Sequence, residues 1–266
     1  MNDSVGSFIW YELMTTDADA AARFYGAVIG WRIGSRPDPL PGGQDYRMIG
    51  RSDGGHAGGV LNLTQDMVTH GARPTWLGYL QVRDLDNAVR EITADGGQVL
   101  MPRIDLPVGA IAMVTDPLGA PIYVMAPIPP PGQPDARSDV FDPVAAERVR
   151  WNELASPEPV RAKAFFTRHF GFEFNDTMPM GPLGDYCFID HGGVRLGAIM
   201  PNRPHEPRAG WLHYFGVRSV TAAAAAIETG GGQVVHGPHP VPGGEWIVVA
   251  SDPQGARFGI VGPKGD

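Results

Sequence analysis

Two carboxylates stand out because each sits inside an otherwise apolar word that occurs twice, Trp10-Tyr11-Glu12-Leu13 and Trp151-Asn152-Glu153-Leu154, 141 residues apart. Both words lie in short apolar runs of strand character, where residues two apart share a face, so each Glu shares a face with its Trp. A carboxylate among apolar neighbours is costly to keep ionised unless paired, and burial raises its pKa. Tuned in that way, a Glu can serve as a general base that takes a proton from carbon beside a carbonyl. The oxyanion so formed needs a donor. Tyr79, 67 residues after Glu12, and Tyr214, 135 after Tyr79, hold the corresponding place on later runs, and a phenol there would steady the charge. The same residue types suit a plainer arrangement as well: a half-buried Glu satisfied by backbone amides or an Arg, phenols bonded across a sheet, and indoles that simply pack.

Other chemistry finds less support. Of the eight histidines, His56, His70, His191 and His205 fall in Gly- or Pro-rich stretches, His169 on a helical run, and His236 and His239 beside a turn, all places for solvated imidazoles. His213 lies on a strand-like run, but alternation turns it away from Leu212 and Tyr214. Gly54-Gly55 and Gly58-Gly59 do not form a Gly-x-Gly-x-x-Gly that opens a helix, and no Gly-x-Ser-x-Gly elbow occurs, so nucleotide binding and serine hydrolysis are set aside. The single cysteine, Cys187, lies between Tyr186 and Phe188 and reads as a small buried apolar residue. It excludes an intrachain disulfide. With 21 Lys and Arg against 29 Asp and Glu, a formal charge of −8, the chain offers no basic surface for nucleic acid. It begins without a basic, apolar leader and has no apolar run long enough for a membrane span, so a soluble cytoplasmic protein is expected.

The elements that must position these residues come from duplication. Phe24-Tyr25 and Gly30-Trp31 return as Phe165-Phe166 and Gly171-Phe172 at the same offset of 141, while Trp76-Leu-Gly-Tyr79 returns as Trp211-Leu-His-Tyr214 at 135. Asp116-Pro-Leu-Gly119 returns as Asp252-Pro-Gln-Gly255 at 136. Within each half a weaker repeat at 67 aligns Asp17, Asp19, Ala21 and Gly30 with Asp84, Asp86, Ala88 and Gly97, which makes four modules. Each module opens with a strand and a capped helix. Asp17, Asp84 and Ser219 are expected N-caps, and for the third helix Ser156 with Pro157 or Glu158 with Pro159 is equally suitable. Apolar runs such as 111–114 and 122–125 follow as strands, which gives a βαβββ unit. The Pro-rich stretch from Pro127 separates the halves, so the expected domains are residues 1–126 and 150–266, with a linker at 127–149.

Paired βαβββ units, a helix ending Phe-Tyr-x-x-x-x-Gly-Trp at 24–31 and closing Asp-Pro-x-Gly turns resemble the vicinal-oxygen-chelate superfamily of glyoxalases, bleomycin-resistance proteins and dioxygenases. The likeness spans nearly the whole chain and is strongest to a tandem, two-domain glyoxalase-like subgroup. It implies an α+β fold of two tandem domains, each with a curved sheet enclosing a cavity. In metal-using relatives, the first and last strands of each module supply His, Gln or Glu ligands. The matching positions here are Trp10, Leu61, Leu77 and Tyr123, then Trp151, Met200, Leu212 and Gly259, a poor set for a divalent ion. No metal and no other cofactor is therefore expected.

With position 10 facing the cavity, the expected catalytic residues are Glu12, Tyr79, Glu153 and Tyr214. Trp10, Leu77, Tyr123, Trp151 and Leu212 are then the expected ligand-binding wall. The function implied is binding or transformation of a small organic molecule in an aromatic cavity, without a metal, by a glyoxalase-like lyase or isomerase if it is an enzyme. A metal-dependent lyase or dioxygenase with displaced ligands, and a non-catalytic sequestering or interaction protein, are the alternatives. Partners other than the small molecule are not expected, and either a monomer or a homodimer suits a chain that already pairs its own modules.

Overall fold

The computed structural model describes residues 5–38, 43–134, 136–202 and 208–266, so His205 lies outside the described residues. The first module comprises β1 (Phe8–Thr15), α1 (Ala18–Val28), β2 (Arg32–Ile33), β3 (Tyr46–Gly50) and β4 (His56–Asn62), followed by the short α2 (Gln65–Thr69). The second comprises β5 (Thr75–Gln81), α3 (Leu85–Ala94), β6 (Val99–Leu106), β7 (Gly109–Thr115) and β8 (Pro121–Pro127). In the second half the third module has β9 (Val149–Ser156), α4 (Pro159–Phe170), β10 (Thr177–Pro179), β11 (Asp185–His191) and β12 (Val194–Pro201). The fourth has β13 (Gly210–Gly216), α5 (Val220–Thr229), β14 (Gln233–Pro240), β15 (Trp246–Ser251) and β16 (Arg257–Gly262). All four are βαβββ units, and the fold is α+β.

The helix starts follow the local chemistry of the chain. Asp17 accepts from Ala20 N at 2.8 Å, Asp84 from Asn87 N at 3.0 Å and Ser219 from Ala222 N at 3.1 Å, each satisfying an amide that the first turn leaves without an intrahelical partner. The third helix takes the second of its two possible starts. Glu158 is the N-cap and Pro159 sits in the first turn, while Ser156 stays in β9 and its Oγ accepts from Glu158 N at 3.2 Å. At its other end Gly171 adopts φ 67°, the left-handed conformation that terminates a helix cheaply only in glycine.

The strands form two eight-stranded sheets, ordered β2-β3-β4-β1-β5-β8-β7-β6 and β10-β11-β12-β9-β13-β16-β15-β14. The outermost strands of each are not joined, so the sheets are curled but not closed. Within each module the first and last strands run parallel, with Glu12 level with Gly59, Tyr79 with Tyr123, Glu153 with Ala198 and Tyr214 with Gly259. Among the described residues no helix is long and apolar enough to cross a membrane.

Packing gathers the chain into two compact units, one of Met1–Ile9, Leu77–Ser138 and Trp151–Leu212, the other of Trp10–Trp76, Asp139–Arg150 and His213–Asp266. In the first, α3 packs on α4 above a core where Phe166 meets Trp211 edge-on at 5.3 Å and Phe172 face-on at 5.7 Å. In the second, α1 packs on α5, and Tyr25, Trp31, Trp76, Phe215 and Phe258 form the core. The repeated aromatic words at 24–31 and 165–172 are thus interior packing, each ring removing on the order of 2–3 kcal/mol worth of apolar surface from water.

His169 and His191 depart from the solvated positions expected of them, while His56, His236 and His239 are exposed as expected but lie in strands rather than loops. His56 opens β4, and His191 ends β11 with its Nε2 2.8 Å from the Val5 carbonyl oxygen. The His169 ring is almost fully covered and lies 3.0 Å from Asp95. His236 and His239 lie within β14.

Candidate functional site

On β1, Trp10 and Glu12 share a face, and β3 brings Tyr46 to them across β4. The Trp10 Nε1–H donates to the Tyr46 hydroxyl at 2.7 Å. Burial pushes the Tyr46 phenol well above its ordinary pKa, and the nearby Glu12 carboxylate pushes it further, so it stays a neutral hydroxyl. Glu12 itself is only 3% exposed. Tyr46 reaches this position because Gly59, level with Glu12, has no side chain: a Cβ there would lie 2.0 Å from the Tyr46 oxygen.

The third module repeats the arrangement in the other unit. Trp151 Nε1–H donates to the Tyr186 hydroxyl at 2.8 Å, and that hydroxyl donates to Glu153 Oε2 at 2.8 Å. The indole and phenol planes are nearly parallel, 3° apart, and Phe188 stands edge-on to both. Glu153 is 8% exposed. A donor aimed at a carboxylate favours its ionised form and fixes its direction, which burial alone would not do. The chain therefore sets a Trp–Tyr hydrogen bond beside a buried Glu twice.

Tyr46 and Tyr186 were not among the expected site residues. A signal for them exists: Tyr46-Arg-Met-Ile49 and Tyr186-Cys-Phe-Ile189 are 140 apart, between the offsets of the stronger words. What the sequence does not carry is the register that sets β3 against β4 and β11 against β12.

The remaining expected residues lie on the second and fourth modules. Tyr79 stacks on Tyr123 at 4.2 Å and 18°, the two being level across β5 and β8. Leu77 shares their strand face and is buried. Tyr214 instead lies over Gly259, where a Cβ would approach its ring to 2.2 Å, and Leu212 beside it is half-buried. The halves therefore differ at this level, one holding a pair of phenols and the other a single ring over bare backbone. His213 is on the opposite face, fully buried against Tyr11 at 5.0 Å, and burial lowers its pKa to about 3. The four expected catalytic groups fall two to each compact unit, Tyr79 and Glu153 in one, Glu12 and Tyr214 in the other.

The positions matching the superfamily's metal ligands hold indole, aliphatic, thioether, phenol and glycine groups, and among the described residues no three His, Cys, Asp or Glu side chains gather to hold an ion. These residues do not fit a divalent ion at that place. A surface cleft of about 160 Å³ beside α3, bordered by Val82, Asp84, Asn87, Glu91, His169 and Phe170, contains none of the expected site residues.

Comparison with known proteins places this geometry in a family. The sequence profile of the Glyoxalase/Bleomycin resistance protein/Dioxygenase superfamily matches residues 7–124 and again 148–260. The chain is 31% identical over 258 residues to "Putative glyoxylase CFP32" of Mycobacterium tuberculosis (strain CDC 1551 / Oshkosh), spanning 96% of this chain and 94% of that one. It is 27% identical to the anthracycline biosynthesis protein DnrV of Streptomyces peucetius, spanning 96% and 93%. The Mn(II)-bound glyoxalase from Novosphingobium aromaticivorans shares the fold with a TM-score of 0.63 at 18% identity, over 98% of this chain and 83% of that one. So does the 2,2',3-trihydroxybiphenyl 1,2-dioxygenase of Sphingomonas wittichii strain RW1, with a TM-score of 0.64 at 12% identity over 97% and 90%. With both halves matched, the chain belongs to the Glyoxalase/Bleomycin resistance protein/Dioxygenase superfamily.

Proposed function

We propose that the protein binds a small organic carbonyl compound on the aromatic faces of its sheets, and that Glu12 and Glu153 take a proton from the carbon beside the carbonyl. The observation that carries this reading is the Trp–Tyr hydrogen bond set twice beside a buried Glu; in the third module Tyr186 donates to Glu153 at 2.8 Å and Trp151 donates to Tyr186. Superfamily membership and relatives named for glyoxylase and anthracycline biosynthesis support an organic substrate.

In the step proposed, a carboxylate oxygen takes the proton and the C–H electron pair moves into the adjacent carbonyl, leaving an enolate with its charge on oxygen. A phenol, Tyr79 or Tyr214, donates to that oxygen. In the third module the Tyr186 hydroxyl, 2.8 Å from Glu153 Oε2, aims that carboxylate before the proton arrives. The aromatic walls supply apolar contact for the organic body and keep water from the enolate. None of these roles requires a metal.

Deuterium exchange tests the reading directly. A panel of α-hydroxy and α-keto carbonyl compounds, hemithioacetals and hydroxyquinones is incubated with the protein in D2O, and C–H to C–D exchange is followed by NMR. For a compound that exchanges, Glu12→Gln together with Glu153→Gln should slow exchange by about 100-fold or more, the usual range for a lost general base, with binding retained. Tyr79→Phe and Tyr214→Phe should slow it less. Binding with no exchange in any compound, or exchange unaffected by the double Gln variant, would overturn the catalytic role and leave a sequestering face.

A further inference from the structure

The fourth module carries two histidines on the face that holds Tyr214. Register runs level from Tyr214 on β13 to Gly259 on β16, Val249 on β15 and His236 on β14, and His239 is level with Ile247 two residues along. On β15, Val248, Val249 and Ala250 are all fully buried. Ile247 and Val249, two residues apart, share one face of β15, and His236 and His239, level with them, lie on that face. Residues three apart on a regular strand point to opposite faces; irregular register between His236 and His239 brings both to one face. Their rings meet at 4.3 Å between centroids, inclined by 51°, and both side chains are exposed.

Duplication shows that the imidazoles are not needed to build this edge. The residues 135 earlier are Met101 and Ile104 on β6, which have the same irregular register, Met101 level with Met113 and Ile104 with Ile111. The bulged edge strand is thus common to both halves, and only the second half equips it with a pair of nitrogen donors. Two adjacent imidazoles that both reach solvent on one face are a chelating pair for borderline divalent ions, which favour nitrogen ligands.

We propose that His236 and His239 bind one divalent transition-metal ion, Zn2+, Ni2+ or Cu2+, through one ring nitrogen each, with water or an oxygen of a bound molecule completing the coordination. The site lies on the edge strand β14, apart from the first and last strands of the modules, where metal-using superfamily members carry their ligands. With only two protein donors it holds an exchangeable ion. It does not involve Glu12 or Glu153, so it stands or falls separately from the carbonyl chemistry above.

The test uses the full chain, stripped with a chelator and titrated with Zn2+ and Cu2+ by calorimetry. Wild type should take up one ion per chain at a site that His236→Ala and His239→Ala each weaken at least tenfold, while His70→Ala leaves it unchanged. Cu2+ electron paramagnetic resonance should show two imidazole nitrogens in wild type and one in either variant. Unchanged circular dichroism and melting in the variants, expected for exposed side chains, assign the loss to ligation. No uptake by wild type, or equal affinity in the double variant, overturns the proposal.

Discussion

At the scale of single residues, Tyr186 is placed to do two things at once: accept from Trp151 and donate to Glu153. Tyr186→Phe removes both bonds and leaves a nearly buried carboxylate without that donor. The expected cost is about 1–3 kcal/mol, read as a lower midpoint in urea unfolding, with a shift in tryptophan emission. Glu153→Gln, which can still accept from Tyr186, should cost less stability, and a Tyr186→Phe variant as stable as wild type would show that the phenol acts only as packing. His213 supplies a separate pH test. Its folded pKa of about 3 lies below the ordinary 6.5, so the unfolded chain takes up its proton first as the solution is acidified. The fold is therefore unaffected by this ring above pH 6.5 and loses stability progressively as pH falls from 6.5 toward 3. Asp116 and Asp252, whose pKa values burial raises above 3.8, act in the opposite sense: they favour the folded chain most at low pH and less as pH rises through their folded values. His213→Asn should therefore flatten the acid limb of a stability–pH profile measured by denaturant titration, and an unchanged slope would show that the ring is protonated in the fold.

At the scale of elements, two strand-to-strand and helix-to-strand contacts can be altered by one atom group each. Gly59→Ala puts a Cβ where the Tyr46 hydroxyl lies, and the flexible end of Tyr46 is what must give way. The chain should stay folded while the Trp10–Tyr46 bond is lost, visible as altered indole emission and a modest drop in melting temperature; a crystal structure with Tyr46 in place would refute this account of Gly59. The second contact joins α1 to the last turn of the fourth module, where Trp76 donates to Tyr25 at 2.9 Å and Tyr25 donates to Asp252 at 3.0 Å. By duplication the counterparts are Trp211, Phe166 and Asp116, and Asp116 Oδ2 is buried with no hydrogen-bond partner among the described residues. Tyr25→Phe should destabilise by about 1–3 kcal/mol, and Phe166→Tyr should stabilise by up to about 1 kcal/mol by supplying the hydroxyl. A destabilising Phe166→Tyr would show that the halves differ in packing at this point.

At the scale of the whole molecule, each compact unit draws residues from both sequence halves, Leu77–Ser138 with Trp151–Leu212 in one and Trp10–Trp76 with His213–Asp266 in the other. Cutting the chain after residue 137 therefore divides both aromatic cores, leaving Tyr25, Trp31 and Trp76 without Phe215 and Phe258. Either half expressed alone should aggregate or show the exposed apolar surface and missing near-ultraviolet dichroism of an expanded state, while the two halves together should recover native spectra. Cooperative unfolding of one half by itself would show that the sheets, not the cross-half cores, are the folding units.

What the sequence by itself determined is what is local or exactly repeated. Side-chain chemistry within one turn set the caps at Asp17, Asp84 and Ser219, and the period of two along β1 and β9 set Glu12 beside Trp10 and Glu153 beside Trp151. The offsets of 141 and 135 set the duplication and hence the βαβββ modules. Only the tertiary structure decided that Tyr46 and Tyr186 bond to Trp10 and Trp151 beside these carboxylates, because their partners lie 33 to 36 residues away across strands whose register no periodicity encodes. It also decided between Ser156 and Glu158 at the start of α4, where two Pro-containing caps are equally good until β9 claims Ser156. The same holds for His236 and His239: alternation alone sends residues three apart to opposite faces, and a bulge, which depends on the neighbouring strand, returns them to one.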